Sequence, residues 1–131
     1  MTGFITGSWD LLHTGHILAL RECKQHCDYL VVGLHVDPSI QRNDKNKPIQ
    51  SVYERMIQLE GCAYVDEIIV YEKESELATI LWTSDIDIRF LGSDYLKNKL
   101  ITAEKAVPIH FIDRHHNYSS TELRERIKNG K

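Results

Sequence analysis

The regular alternation of strand-like and helix-like segments is the feature that most constrains the fold of this chain. Short runs of apolar and β-branched residues predict strands over residues 1–6, 28–35, 65–71, 86–91 and 107–112. The segments between several of these runs carry apolar residues at helical spacing. Strands that alternate with helices in this way form βαβ units, so we predict a parallel sheet flanked by helices.

Helix boundaries are marked by capping signals and by apolar periodicity. The first helix is predicted over residues 16–27, and Leu77, Ile80 and Leu81 mark a third. Two others begin at a Ser-x-x-Glu capping box and end near a glycine, at residues 51–61 and 119–130. With right-handed crossovers, these elements predict a single Rossmann-like, doubly wound α/β sheet of five parallel strands, with residues 1–131 as one domain.

Composition narrows the classes of function. The 131 residues carry 16 Lys and Arg against 19 Asp and Glu, a net charge of −3. This charge excludes a broad electrostatic surface for nucleic acid or anionic membrane, so an anion site has to be built locally. No apolar run approaches the roughly 20 residues of a transmembrane helix, and the first residues do not resemble a signal peptide. We therefore expect a soluble, cytoplasmic protein that binds neither nucleic acid nor a membrane.

The three cysteines, Cys23, Cys27 and Cys62, lack the spacing of a disulfide framework. Cys23 and Cys27 lie four residues apart on a predicted helix, which suits one half of a metal site, but no second ligand pair follows at zinc-finger spacing. We predict that they are small buried apolar residues and that no side-chain metal site is present.

The loop after the first strand carries the strongest functional signal. Ligands of open parallel sheets bind beyond the carboxyl ends of the strands, where residues 7–16 lie. This loop lacks the glycine spacing of dinucleotide-binding folds and of P-loops. It carries His13-Thr14-Gly15-His16 at a predicted helix start, where two imidazoles and unpaired backbone N–H groups favour an anion such as phosphate. The alternative is a pair of capping or packing histidines.

The loop before the last helix predicts a second phosphate contact. Arg114 can bind phosphate oxygens through two N–H groups. Ser119, Ser120 and Thr121 add donors at the positive end of the helix dipole. Helix capping by Ser119 is the simpler alternative, but capping leaves Arg114 unexplained.

Two further loops carry weaker signals. Lys45 and Lys47 precede the second helix and Arg55 lies inside it. Flexible cations of this kind can neutralise a polyphosphate, although a solvated loop explains them equally well. Gly92 after the fourth strand permits close backbone approach, and Asp94 can accept hydrogen bonds from a base amine or a substrate hydroxyl. A plain turn is the alternative for both residues.

Taken in order, these motifs resemble the cytidylyltransferase-like nucleotidyltransferases, the family marked by His-x-Gly-His, and within it the small glycerol-3-phosphate cytidylyltransferases. Residues 7–16 are similar to the family's G-T-F-D-L-L-H-x-G-H, and residues 92–95 to its G-D-D-W. Arg114 with residues 119–121 matches R-x-x-x-x-S-T-T, and residues 64–67 resemble the Y-V-D-E segment associated with dimer contact. The resemblance covers nearly the whole chain.

The resemblance implies a catalytic domain that transfers CMP from CTP to a phosphorylated polyol similar to glycerol 3-phosphate and releases pyrophosphate. It also implies magnesium bound through the nucleotide phosphates, and a homodimer. The catalytic residues it implies are His13, His16, Lys47 and Arg114. The nucleotide would contact Gly7, Ser8, Trp9, Gly15, Gly92, Asp94, Ser119, Ser120 and Thr121. The acceptor would contact Asp10, Lys45 and Arg55.

The acceptor region departs from the glycerol-phosphate enzymes, because residues 74–77 lack the tryptophan and the lysine that those enzymes carry there. Residues 95–105 resemble the heptose-phosphate adenylyltransferases, which use ATP. An adenylyltransferase for a sugar phosphate is therefore the alternative among enzymes. A non-catalytic nucleotide-binding module is the alternative from another class.

Overall fold

The computed structural model describes residues 1–92, 107–113 and 118–130. These residues form five strands and four helices, joined in part by a short 3-10 turn at Pro38–Ile40. In chain order the elements are β1 Thr2–Gly7, α1 Thr14–Gln25, β2 Tyr29–His35, α2 Val52–Glu60, β3 Glu67–Tyr71, α3 Glu76–Thr83, β4 Ile88–Gly92, β5 Ile109–Ile112 and α4 Ser120–Lys128.

All neighbouring strands pair in parallel, in the order β3-β2-β1-β4-β5. This confirms the predicted α/β sheet. The chain builds β1, β2 and β3 toward one edge and then crosses back to place β4 and β5 on the other side of β1. The loops after β1 and β4 therefore diverge, and they leave a crevice at the carboxyl ends of these two strands.

The sheet has a core on each face, because side chains alternate along every strand. Ile5 of β1 and Val32 of β2 face a cluster that includes residues of α1 and α2. Phe4 and Val31, one position earlier, face a second cluster that includes residues of α3. α1 and α2 thus pack on one face of the sheet, and α3 packs on the other.

The predicted element ends are correct to within about two residues, and the differences have local causes. The first helix begins at Thr14, two residues earlier than predicted, because His13 itself is the N-cap. The third strand begins at Glu67 rather than at residue 65, because a turn in which the Val65 N–H donates to the Cys62 carbonyl follows α2. The predicted strand and helix types are otherwise confirmed.

One of the two predicted capping boxes is complete. Ser51 Oγ accepts from the Glu54 N–H at 3.1 Å, and the Glu54 carboxylate accepts from the Ser51 N–H at 2.9 Å. At α4 only the serine half is present, because the Glu122 carboxylate pairs with Arg126 at 2.7 Å instead.

Cys23 and Cys27 are buried in the core on the α1 face, as predicted. Burial raises the pKa of both thiols, which keeps them protonated and inert toward metals or oxidants. In the described part of the chain, the helices are too short and too polar to cross a membrane.

Gly3→Ala tests the close packing of β1. A Cβ at Gly3 would lie 2.5 Å from a ring carbon of Phe90 and 2.9 Å from the sulfur of Cys27. Both neighbours are buried, so we expect a loss of about 1–3 kcal/mol in the free energy of unfolding from overpacking. Urea denaturation measures the loss.

Gly61→Ala is the matched control. The nearest atom to its Cβ would be 3.5 Å away. Its φ of −76° suits alanine, so its stability should be unchanged or raised by about 0.4–1 kcal/mol. Equal stability of the two variants would contradict the packing described for Gly3.

Candidate active site

A cavity of about 470 Å³ opens at the carboxyl ends of β1 and β4, and we call it the main cavity. Its size is ordinary for a small-molecule site. Ten residues predicted for the site line it, namely Gly7, Ser8, Trp9, His13, Gly15, His16, Lys45, Gly92, Ser119 and Ser120. Four other predicted residues, Asp10, Lys47, Arg55 and Thr121, do not line it. Asp94 and Arg114 lie outside the described residues.

The loop from β1 to α1 is held in an unusual backbone conformation. Trp9 and Leu11 have φ values of 54° and 51°, in the left-handed region that side chains other than glycine rarely adopt. Two long-range hydrogen bonds hold the loop there. The Trp9 indole N–H donates to the Gly33 carbonyl at 3.1 Å, and the Leu11 N–H donates to Gln50 Oε1 at 2.7 Å. Trp9 is 5% exposed, so most of its ring belongs to the core.

The two histidines of the motif form the start of α1. His13 is the N-cap, and its Nδ1 accepts from the Gly15 N–H at 3.0 Å. His16 Nδ1 accepts in return from the His13 N–H at 3.2 Å. The rings stack with centroids 3.9 Å apart. Helix capping, the alternative raised from the sequence, therefore accounts for the hydrogen bonds that the two Nδ1 atoms accept.

The same hydrogen bonds set the tautomer of both rings. A nitrogen that accepts from a backbone N–H carries no proton, so each neutral ring holds its proton on Nε2. Both Nε2–H groups are then hydrogen-bond donors. They belong to residues that line the main cavity, at the positive end of the α1 dipole. The arrangement is suited to an anion that gains charge during a reaction.

Gly15 allows two backbone segments to meet. A Cβ at this position would lie 2.8 Å from the Tyr118 carbonyl oxygen and 2.8 Å from a ring carbon of His13. The nucleotide contact that the resemblance implies for Gly15 stays a prediction. In the structure, the missing side chain lets the segment that leads into α4 approach the motif.

The acceptor contact implied for Asp10 stays a prediction, and the structure places this residue inside the protein. It is 5% exposed. Its carboxylate accepts from the N–H groups of Ile49 and Gln50, each at 2.9 Å, and from Arg124 at 3.1 Å. Its backbone carbonyl accepts from Ser120 Oγ at 3.2 Å. Asp10 thus joins the loop after β1, the segment before α2, and α4.

Arg55 is also buried, at 2% exposure, and the acceptor contact implied for it likewise stays a prediction. Its guanidinium donates to five backbone carbonyl oxygens at 2.7–3.3 Å, those of Ser8, His35, Val36, Gln50 and Ser51. Burial lowers the pKa of this guanidinium, and the nearby carboxylates of Asp10 and Asp37 oppose that shift. Arg55 therefore connects the ends of β1 and β2 to the start of α2.

The remaining predicted residues differ in their access to the main cavity. Lys45 lines it and is exposed, whereas Lys47 and Thr121 are exposed away from it. Ser119 spends its hydroxyl on capping α4, where it accepts from the Glu122 N–H at 3.0 Å. Both serines, Ser119 and Ser120, nevertheless line the cavity.

Several polar residues of this region were not predicted from the sequence. Arg42, Asp44 and Tyr118 line the main cavity, and Arg124 pairs with Asp10. Arg42 lies in the polar loop already singled out for its lysines, so position in that loop was an available signal. Arg124 carries no local signal, because its partner is 114 residues away in the chain.

The side chains of the described residues hold no group of three or more His, Cys, Asp or Glu that converges on a metal position. Asp44 lines the main cavity and lies 3.6 Å from Arg42. A divalent cation brought by a ligand's own phosphates fits this donor set better than an ion held in a protein cage.

Comparison with known proteins gives a consistent family. A family model described as cytidylyltransferase-like matches residues 4–126. The bifunctional protein HldE of Helicobacter pylori is 37% identical over 126 residues, which cover 95% of this chain and 27% of that protein. HldE of Campylobacter jejuni is 30% identical over 129 residues, which cover 98% of this chain and 28% of that protein. The chain thus spans about a quarter of the length of these relatives.

A solved structure shares the fold. The lipopolysaccharide core biosynthesis protein from Thermoplasma volcanium superposes with a TM-score of 0.72 at 29% identity. The match covers 88% of this chain and 98% of that one.

Arg55→Met tests whether this arginine supports the site from inside. The variant removes the donors of five hydrogen bonds and leaves buried carbonyl groups unpaired. We expect the free energy of unfolding to fall by about 3–5 kcal/mol, measured by urea denaturation.

Arg126→Gln is the control, since Arg126 makes an exposed pair with Glu122 within α4. Its loss should stay below about 1 kcal/mol. A loss at Arg55 as small as this would contradict the role described here.

Proposed function

The chain belongs to the cytidylyltransferase-like family of nucleotidyltransferases, and we propose that it transfers a nucleotidyl group from a nucleoside triphosphate to a phosphorylated acceptor. The observation that carries the proposal is the stacked pair of His13 and His16, with both Nδ1 atoms occupied by backbone N–H groups. The two Nε2–H donors and the N-terminus of α1 then form a site for developing negative charge.

The proposed reaction is an in-line displacement at the α-phosphorus. An oxygen of the acceptor phosphate forms a bond to the α-phosphorus, while the bond from that phosphorus to the oxygen bridging to the β-phosphorus breaks. Pyrophosphate leaves with the electron pair of the broken bond. The Nε2–H groups of His13 and His16 donate to the nonbridging oxygens, whose charge rises in the transition state. The reaction needs no protein nucleophile, so positioning supplies much of the rate.

The triphosphate is proposed to lie along the main cavity toward α4. Ser119 and Ser120 supply donors at the start of that helix, and Lys45 supplies a flexible cation from the segment before α2. Arg114 and Lys47 remain proposed contacts of the β- and γ-phosphates. Magnesium that enters with the phosphates would neutralise charge on the leaving pyrophosphate.

We favour ATP and a sugar phosphate as the substrates. The relatives are named bifunctional protein HldE, and the matching solved structure is named a lipopolysaccharide core biosynthesis protein. Lipopolysaccharide cores are built from sugars, which suits a sugar phosphate as acceptor. The resemblance of residues 95–105 to heptose-phosphate adenylyltransferases supports the same pair of substrates.

CTP and a polyol phosphate are the second candidate pair. The similarity of residues 7–16 and 119–121 to the glycerol-3-phosphate cytidylyltransferases favours this pair. The absence of the tryptophan and lysine from residues 74–77 weighs against glycerol 3-phosphate itself.

We also propose that the active form is a homodimer, through the segment around residues 64–67. Asp66 and Glu67 are already engaged within the chain. Asp66 pairs with Lys24 and accepts from the Leu30 N–H at 2.7 Å, and Glu67 accepts from the Tyr29 hydroxyl at 2.8 Å. These contacts order the segment within the single chain, and the resemblance of residues 64–67 to the Y-V-D-E segment is what supports the dimer.

His13→Asn separates chemistry from folding. Asparagine is a good N-cap, so its side-chain oxygen can replace Nδ1 as the acceptor of the Gly15 N–H. It has no counterpart of the Nε2–H donor. We expect the melting temperature to stay near that of the wild type while kcat for pyrophosphate release falls by about 10²–10³-fold.

His26→Asn is the matched control, since His26 is the exposed C-cap at the other end of α1. It should leave kcat unchanged. Full activity of His13→Asn would contradict the proposed role of the histidine pair.

A pyrophosphate-release assay with ATP or CTP and a panel of acceptors tests the substrates. We expect release with ATP and a heptose or hexose 1-phosphate, at a kcat/KM at least about tenfold above that with CTP and glycerol 3-phosphate. The reverse preference would select the second pair. Nucleotide binding without release from any pair would favour a binding module and overturn the proposed activity.

A further inference from the structure

A second, smaller cavity of about 150 Å³ adjoins the main cavity on the α3 face of the sheet, and we call it the side cavity. Both cavities share Thr6, Gly7, Ser8, Arg42, Lys45 and Leu91. The side cavity alone contacts His35, Pro38, Tyr71, Glu74, Leu77 and Arg89. The motif histidines line only the main cavity, so the two cavities form a cleft with two chemically different ends.

Arg89 is the least expected residue of the side cavity. It lies in β4 between Ile88 and Phe90, in a strand of otherwise apolar residues. Phe90 packs in the core on the α1 face, so Arg89 and Leu91 point to the α3 face by strand alternation. Across the described ranges, the Arg89 guanidinium has no ion pair and no side-chain hydrogen bond. Burial lowers the pKa of this guanidinium, and no carboxylate of the described residues opposes the shift.

The charge of the side cavity is positive. Arg42, Lys45 and Arg89 line it, against Glu74 as a carboxylate. Arg42 lies 3.7 Å from Glu74 and 3.6 Å from Asp44. Both carboxylates therefore form ion pairs with Arg42 and not with Arg89. Among the described residues, no carboxylate therefore balances the charge of Arg89. A partly desolvated cation of this kind is stabilised when an anion binds beside it.

Arg89 lies at a distance from the proposed reacting centre, as its position along β4 shows. Arg89 precedes Gly92, which lines the main cavity, by three residues, or about 10 Å of strand. The two residues also serve different cavities. An acceptor whose reacting phosphate lies near His13 and His16 can therefore extend past Gly7 and Ser8 and place its far end beside Arg89.

Resting on the proposed function, we propose that the side cavity binds a second anionic group of the acceptor, at the end remote from the reacting phosphate. Arg89 is the residue that recognises this group, through charge-assisted hydrogen bonds to its oxygens. The acceptor class is thus a sugar or polyol phosphate that also carries a carboxylate or a second phosphate. The apolar Pro38 and Leu77 and the ring of Tyr71 enclose the carbon skeleton between its two charged ends.

Three acceptors that share one ring test the proposal. Glucose 1-phosphate has a neutral far end, glucuronic acid 1-phosphate carries a carboxylate there, and glucose 1,6-bisphosphate carries a phosphate. We expect KM for at least one of the doubly anionic acceptors to be about tenfold or more below KM for glucose 1-phosphate. The comparison between the carboxylate and the phosphate identifies which anion the cavity accepts. Equal KM values for all three acceptors would overturn the proposal.

Arg89→Gln assigns the preference to this residue. The ratio of KM values between neutral and doubly anionic acceptors should fall to about one in this variant, and Arg89→Lys should restore part of it. Arg126→Gln removes one positive charge on α4 and should leave the ratio unchanged. A preference that persists in Arg89→Gln would overturn the assignment.

Equilibrium binding distinguishes a failure of this proposal from a failure of the proposed function. Titration calorimetry with the same three compounds and no nucleotide measures the acceptor end alone. A Kd for glucose 1,6-bisphosphate or glucuronic acid 1-phosphate about tenfold below that for glucose 1-phosphate, lost in Arg89→Gln, would support the side cavity even without turnover. Binding that does not discriminate, or no binding of any of the three, would overturn it.

The folding of the variants also bears on the proposal. Because Arg89 has no charged partner in the described protein, Arg89→Gln should keep the melting temperature of the wild type or raise it. Adding glucose 1,6-bisphosphate should raise the melting temperature of the wild type more than that of the variant. A purely structural arginine would give the opposite pattern, with a lower melting temperature in Arg89→Gln and equal shifts on adding the ligand.

Discussion

The five hydrogen bonds of the buried Arg55 guanidinium are the interaction on which the site depends. Parallel strands end in backbone carbonyls that have no partner in the next strand. Arg55 gathers such carbonyls from the ends of β1 and β2 and from the start of α2, which would otherwise repel one another at the same sheet edge. A planar guanidinium with five donors suits this task, whereas a lysine would satisfy at most three acceptors. Arg55 thereby connects the ends of β1 and β2 to the start of α2 in the protein without a ligand.

A carboxylate completes this scaffold. Asp10 accepts from the segment before α2 and from Arg124, and Ser120 donates to its carbonyl. The loop between Trp9 and Leu11 is thus fixed at both sides, which explains how two residues can stay in the left-handed region. This loop places His13 at the N-cap of α1. There, hydrogen bonds from backbone N–H groups to the two Nδ1 atoms set the tautomer of both rings. In the proposed reaction, these donors are therefore positioned by the fold and need no rearrangement.

Features that depend on interactions between residues close together in the chain could be predicted from the sequence, whereas those that depend on distant residues could not. Strand and helix positions could be predicted because burial and capping act over a few residues, as at Ser51 and Glu54. The histidine motif could be placed in the site because its loop must follow the first strand. The buried roles of Asp10 and Arg55 could not be predicted, because their partners lie 39–114 and 4–47 residues away. In sequence, a buried scaffold arginine and a ligand-binding arginine look the same.

The electrostatic character of the cleft depends on which charged groups are paired, and not on the net charge of the chain. The chain has a net charge of −3, yet Asp10, Asp44 and Glu74, the carboxylates around the described part of the cleft, each pair with an arginine. Asp10 is bound by Arg124 and by two backbone N–H groups, and Glu74 faces Arg42. Because paired carboxylates project little field into the cleft, the helix N-termini and Lys45 can act on a polyanion without competition. Arg89 differs from these groups, since it is partly buried and has no ion pair within the described residues, and we propose that a ligand neutralises it. In the proposed reaction, the triphosphate lies at one end of this cleft and the anionic acceptor at the other.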